Sequence, residues 1–262
     1  MKALFFISLA VYAAAVVLQF TGTAFKREKL LRASWLVFLA AFALHTVFLI
    51  ARGISAKRLP LSNQFEFANA FAWGVALMLI VVRGRMKADW LTVVAMPAAL
   101  LVMTYAALQP MEIHDLMPAL RSAWFGVHIG SAVLSYSAFV IAGVSGLRYL
   151  LASKKGNATA HMLEQMDYLS YRMVAFGFLF LTVVILSGAI WAEQAWSTFW
   201  SWDPKEVWAL ITWIIYAVYL HLRLRRGRKG KFAAWYVVIA VPVVFFTFAG
   251  VNTLMHGMHT YG

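Results

Sequence analysis

The sequence predicts an all-α, polytopic integral membrane protein of about eight transmembrane helices, with both termini on the outer face. The first observation behind this is composition. Of 262 residues, 63% are apolar and 13% charged, against ~45–50% and ~25% in soluble domains. Mean hydropathy is +0.76. That much apolar surface excludes a water-soluble enzyme, and an aromatic content of 16% excludes disorder. The second observation is the spacing of apolar runs, which recur at the ~20-residue length that crosses the hydrocarbon core. The third is the placement of Lys and Arg, which marks the cytoplasmic side. The chain holds no cysteine. It therefore offers no disulfide, thiol nucleophile, Cys-ligated zinc or iron–sulfur cluster.

The expected spans run over 3–22, 34–51, 65–82, 90–108, 123–147, 173–192, 206–222 and 233–252. The first begins beside Met1 like a signal peptide. Its apolar run is long and no small-x-small cleavage site precedes the basic segment, so it is expected to be retained. Lys26, Arg27, Lys29 and Arg32 follow the first span. Arg83, Arg85 and Lys87 follow the third, and Arg148, Lys154, Lys155 and Arg172 surround the fifth connection. Arg223, Arg225, Arg226, Arg228, Lys229 and Lys231 follow the seventh. All four groups fall on one side of an eight-span arrangement, which faces the termini outward. The run 223–231 lies between two spans, so it is read as a topology signal rather than a nucleic-acid patch. Pro97 and Pro242 fall inside spans, where they are expected to kink them.

No long hydrophilic segment interrupts the spans, so function is expected in the spans and outer loops. The segment from Trp191 to Trp208 reads WAEQAWSTFWSWDPKEVW. It carries Trp191, Trp196, Trp200, Trp202 and Trp208, five of the eleven tryptophans. Spacing alone supports both an interfacial aromatic belt and a platform for a flat hydrophobic ligand. Asp203, Pro204 and Glu206 fit the N-cap, N1 and N3 positions of a capping box opening the seventh span.

Five histidines bear on the argument. His128 lies near the outer start of the fifth span, and His256 and His259 lie in the C-terminal GVNTLMHGMHTYG. All three share a side with the Trp segment. A lone histidine in a span is more often packed or hydrogen-bonded than a ligand. Two of them beside a Trp shelf suggest axial ligation of a haem iron. His221 lies at the other end of the seventh span, a helix too long for it to reach the outer pair. It fits either an interfacial group or a ligand of a second, deeper haem. His45, inside the second span, reads first as a packed core residue. Glu66 reads first as an acidic first-turn residue behind an N-cap at Ser62 or Asn63. Lys205 and Arg121 are the outer cations placed to meet propionates.

The sequence resembles a known family. Trp196, Trp200, Trp202, Asp203, Pro204, Lys205, Glu206 and Trp208 are similar to the WWD signature of cytochrome c assembly proteins. The likeness continues through Trp213, Tyr216, Tyr219, Leu220, His221 and Arg223. It also takes in PLSN with Glu66, His128 with Tyr136, and the closing GMHTYG, so it covers about 40–262. The runs WSWDPKEVW and YLHLR favour the CcsA/ResC branch over CcmC. One departure is Ser197, where the family often has Gly.

The resemblance implies a single cytochrome c assembly domain, with its WWD loop at about 191–208, that moves haem b to the outer face. His128 and His259 match the outer axial ligands, and Trp196, Trp200, Trp202 and Asp203 the loop beneath the haem. His221 matches the ligand of an inner site completed by a CcsB/ResB subunit. Together the two subunits would present haem to a CxxCH apocytochrome c, whose thiols add to the haem vinyls. A thiol-reducing system would act on that apocytochrome. The implied place is a bacterial cytoplasmic membrane, or a thylakoid in a plastid. A haem exporter of the CcmC type without ligation activity stays open, as does a bis-His electron-transfer subunit.

Overall fold

A computed structural model describes residues 1–155 and 158–255. The described residues are helical, and eight of their helices are long and apolar enough to cross a membrane. They fall into two compact units, Met1–Leu116 and Met117–Gly262.

The first unit comprises α1 (Lys2–Ala24), α2 (Glu28–Ala56), α3 (Gln64–Met86) and α4 (Thr92–Ala107), the last entered through a 3₁₀ turn at Asp89–Leu91. The tight Phe25–Arg27 turn lays α2 back along α1. Ser34 then donates to the Ala15 carbonyl at 2.9 Å, with Gln19 Oε1 at 3.0 Å. Buried hydroxyls bonded in this way across helices avoid the cost of an orphan in lipid. Tyr12 meets both Phe38 and His45 edge-on. His45 is fully buried in this packing, as its first reading expected.

Glu66 is more than a first-turn acid. Asn63 caps α3 by accepting from the Glu66 amide at 2.8 Å. The Glu66 carboxylate, itself 0% exposed, accepts from Arg52 at 2.9 Å and Arg58 at 2.7 Å. It also accepts from the Ser62 amide and hydroxyl. Arg52 spends its other donors on the carbonyls of Met111 and Glu112. One buried carboxylate thus fixes the α2–α3 connection, and its arginine partner ties down the segment after α4.

The second unit comprises α5 (Ala123–Lys155), α6 (Ala160–Trp196), α7 (Pro204–Arg225) and α8 (Lys231–Phe245). A π turn at Phe246–Gly250 and the short α9 (Val251–Leu254) continue α8. Ser135 and Ser145 of α5 donate to the carbonyls of Gly177 and Met166 of α6, at 2.8 and 2.7 Å. On the α8 side, Gly143 and Gly146 let the backbones meet. A Cβ on Gly146 would lie 2.9 Å from the Ala234 carbonyl oxygen. Small residues at a membrane helix crossing serve this close approach. Phe139 and Tyr216 stack flat at 3.6 Å. Arg223 grips Asp167 through both terminal guanidinium nitrogens at 2.6 Å, and the Gly230 amide joins the same carboxylate.

Helices α2, α5 and α6 run well past the expected spans. Hydropathy marks only the part that crosses lipid. Good helix formers such as EKLLR before 33 and LEQMDYLSYR before 173 carry the helices beyond it. Trp191 and Trp196 are therefore on the last turns of α6 rather than in a loop. Pro97 and Pro242 do lie inside helices, and the π turn follows one turn after Pro242.

Removing the carboxylate charge leaves the buried Arg52 guanidinium and the part-buried Arg58 one without a counter-charge, a change that costs about 3–5 kcal/mol. Glu66→Gln is expected to lower thermal stability in detergent by that order, while Asn63→Ala costs about 1 kcal/mol. Equal effects would show that the ion pair is not the anchor.

Candidate functional site

At one end of the second unit, α5 starts, α6 stops and α7 starts. His128 stands on the second turn of α5. Its Nδ1 lies 2.8 Å from the Val184 carbonyl oxygen on α6. A carbonyl only accepts, so Nδ1 carries a proton, and in the neutral ring Nε2 then holds the lone pair. This is the tautomer that presents Nε2 to a metal. The approach depends on Gly188. A Cβ there would lie 2.8 Å from His128 Nδ1.

Aromatic side chains build outward from this ring. Trp191, one turn beyond Gly188 and 2% exposed, lies tilted against His128 with ring centroids 5.8 Å apart. Its indole N–H donates to the Ala119 carbonyl at 2.7 Å, which locks it. Trp196 meets Trp191 edge-on at 5.0 Å, and Phe125 closes the other side at 5.2 Å. The structure thus brings together His128, Trp191 and Trp196. Trp200 and Trp202 form a separate edge-to-face pair at 5.9 Å. Trp202 is 69% exposed.

The loop between these groups is stiffened from α7. Asp203 accepts from the Lys205 amide at 2.9 Å and forms the expected capping box with Glu206. Glu206 reaches back to the amides of Ser201 and Asp203. Both ends of the loop need left-handed backbone, with Ser197 at φ 54° and Trp202 at φ 60°. Only glycine adopts that region without steric cost. Ser197 is the position where the WWD signature often has Gly, so the departure falls where glycine has a conformational reason.

Other expected residues find different settings. Lys205 Nζ donates to Asn252 Oδ1 at 2.9 Å. Arg121 lines a cleft of about 480 Å³ with Ser122, Trp124 and Gln194. His221 is exposed on α7, about 27 Å along the helix from Asp203 at 1.5 Å per residue. Glu66 and His45 belong to the first unit. His259, with His256, lies outside the described residues. Sequence reasoning missed Val184, Gly188 and Asn252. A glycine one turn before a tryptophan, facing a histidine on a neighbouring span, was the available signal for Gly188.

A family model described as "Cytochrome C assembly protein" matches residues 61–259, across both units. The chain belongs to this family. It is 34% identical over 244 residues to a cytochrome c biogenesis protein CcsA of Guillardia theta, covering 83% of this chain and 81% of that one. It is 33% identical over 273 residues to a CcsA of Prochlorococcus marinus strain MIT 9301, covering 92% and 88%. A solved structure titled "Cytochrome c Heme Lyase CcmF" matches with a TM-score of 0.70 over 99% of this chain, at 15% identity. This chain spans 47% of that protein, and the likeness is one of fold.

Ser197→Gly is expected to raise thermal stability by about 0.5–1 kcal/mol, by relieving a left-handed residue. Calorimetry or a nanoDSF melt in detergent checks this. A drop would place the Ser197 side chain in a contact that outweighs the backbone strain.

Proposed function

We propose that this chain presents haem b at its outer face for attachment to CxxCH apocytochrome c, together with a CcsB/ResB-type subunit. The observation that carries the proposal is the His128 imidazole. It is fixed by the Val184 carbonyl, laid against Trp191, which in turn meets Trp196, and belongs to a chain of a cytochrome c assembly family.

Haem is the substrate here, and the residues present fit it. Neutral His128 offers Nε2 as an axial donor whose direction is set by Nδ1. His259 supplies the second axial ligand. Trp196, Trp200 and Trp202 supply aromatic surface, each stacked contact worth about 0.5–1.5 kcal/mol beyond area burial. Asp203 acts through the capping box, holding the loop rather than touching haem. Arg121 is the cation for a propionate, at the mouth of the cleft beside Trp124. Two strong axial donors keep the iron six-coordinate and limit its reaction with oxygen. The chain's contribution to thioether formation is positioning of haem and thiols, not proton transfer. A thiol-reducing system keeps the substrate cysteines reduced.

His221 supports the shared inner site. It is exposed, and Ile214 and Val218, on the same stripe of α7, are 48% and 43% exposed. That stripe faces lipid or a partner subunit, so a second ligand from the partner suits it.

The test is the optical spectrum of the chain purified with its partner from haem-replete cells. Wild type is expected to show reduced low-spin haem. His128→Ala and His259→Ala are expected to lose it or turn high-spin, with recovery on adding imidazole. His221→Ala is expected to lower the haem delivered, without changing its spin state. Indifference to all three substitutions would end the axial-ligand assignment. A subtler change is Gly188→Ala, whose new methyl displaces the His128 ring without removing it. A spin-state change in Gly188→Ala is the expected result, and an unaltered spectrum would mean the Val184 contact does not orient the ligand.

A further inference from the structure

The Trp loop and the end of α8 are stapled together at three points, all among the described residues. Lys205 Nζ donates to Asn252 Oδ1 at 2.9 Å. One turn along α7, Trp208 packs on Phe246 with ring centroids 4.4 Å apart. A further turn on, the hydroxyls of Thr212 and Thr247 share a hydrogen bond of 2.9 Å, with both residues buried. On α7 the staples fall at 205, 208 and 212, regular helical spacing. On the other strand of the staple they fall at 252, 246 and 247, which is not.

The π turn explains the mismatch. Phe246–Gly250 is wound with i→i+5 bonds, which inserts one residue's worth of rotation into α8. Such single π turns are frequent at functional sites. Here the turn carries Phe246 and Thr247 onto α7 and then re-aims the chain. Asn252 thereby reaches Lys205, at the base of the Trp loop. Asn252 lies seven residues before His259 in sequence.

We infer that Lys205 and Asn252 are a positioning pair, joining the Trp loop to the segment from which the C-terminal histidine departs. The inference rests on the haem-presenting reading and deepens it. Lys205 then acts through Asn252, and not as a direct partner of a haem propionate. The hydrogen bond has a charged donor, and such bonds are stronger than neutral ones. Its loss is expected to weaken haem retention about tenfold.

The experiment uses the full chain with its partner subunit. Asn252→Leu and Lys205→Met are compared with the conservative Asn252→Asp and Lys205→Arg by haem spectrum. Hydrogen exchange of the loop 198–203 is measured in parallel. The pair predicts that Asn252→Leu and Lys205→Met both turn haem high-spin and raise loop exchange. Added imidazole restores the spectrum, and Asn252→Asp behaves as wild type. Low-spin haem retained in Asn252→Leu but lost in Lys205→Met would overturn the inference, because Lys205 would then act on haem directly. If His128→Ala, His259→Ala and His221→Ala all leave the spectrum unchanged, the haem-presenting reading fails instead. The exchange data still decide the pair in that case: a rise in Asn252→Leu upholds it and no rise overturns it.

Discussion

Gly188 has no side chain, and over that gap His128 reaches the Val184 carbonyl. Much of the site depends on this one approach. Val184 is a turn before Gly188 on α6, and Trp191 is a turn after it. The same helix face therefore supplies the acceptor, the gap and the aromatic wall for one imidazole. The bond fixes the tautomer as well as the direction of the ring. A histidine on a membrane helix would otherwise turn among several rotamers, with its donor competing for any nearby carbonyl. Trp191 is itself locked by Ala119, so the ring it supports is held from two sides.

The second element of the site is built by a different device. The loop between α6 and α7 is short and must reverse direction, and it does so through two left-handed residues. Its stiffness comes from α7, where Asp203 and Glu206 satisfy amides on the first turn and in the loop itself. The tryptophans of the loop are thus mounted on a braced turn. The charged residues of WSWDPKEVW account for the bracing, and the aromatic ones for the exposed surface.

The spans, the capping box and the packed state of His45 were legible in the sequence. Each depends on local pattern, such as hydropathy over ~20 residues or a Ser/Asp-x-x-Glu spacing. Helix ends were less legible, because polar helix formers extend α2, α5 and α6 beyond the lipid-crossing run. For Glu66 the cap was legible and the ion pair was not. Arg52 and Arg58 precede it by fourteen and eight residues, and only the α2–α3 connection brings them to it. The Lys205–Asn252 bond was not legible for a related reason. Asn252 is 47 residues from Lys205, and a π turn that no spacing rule announces brings the two together.

The Glu66 network also bears on how the chain enters a membrane. An arginine at the end of one span and a glutamate at the start of the next each carry a charge. Each would cost roughly 2.5–3.5 kcal/mol if lodged alone at the centre of a bilayer. Joined through a connection of only seven residues, 57–63, they can neutralise each other before either meets lipid. The α2–α3 connection therefore carries its own counter-charge through the low-dielectric boundary. Arg52 then still has donors left over. The carbonyls of Met111 and Glu112, which follow α4 in the chain, become available to them only once α4 is in place.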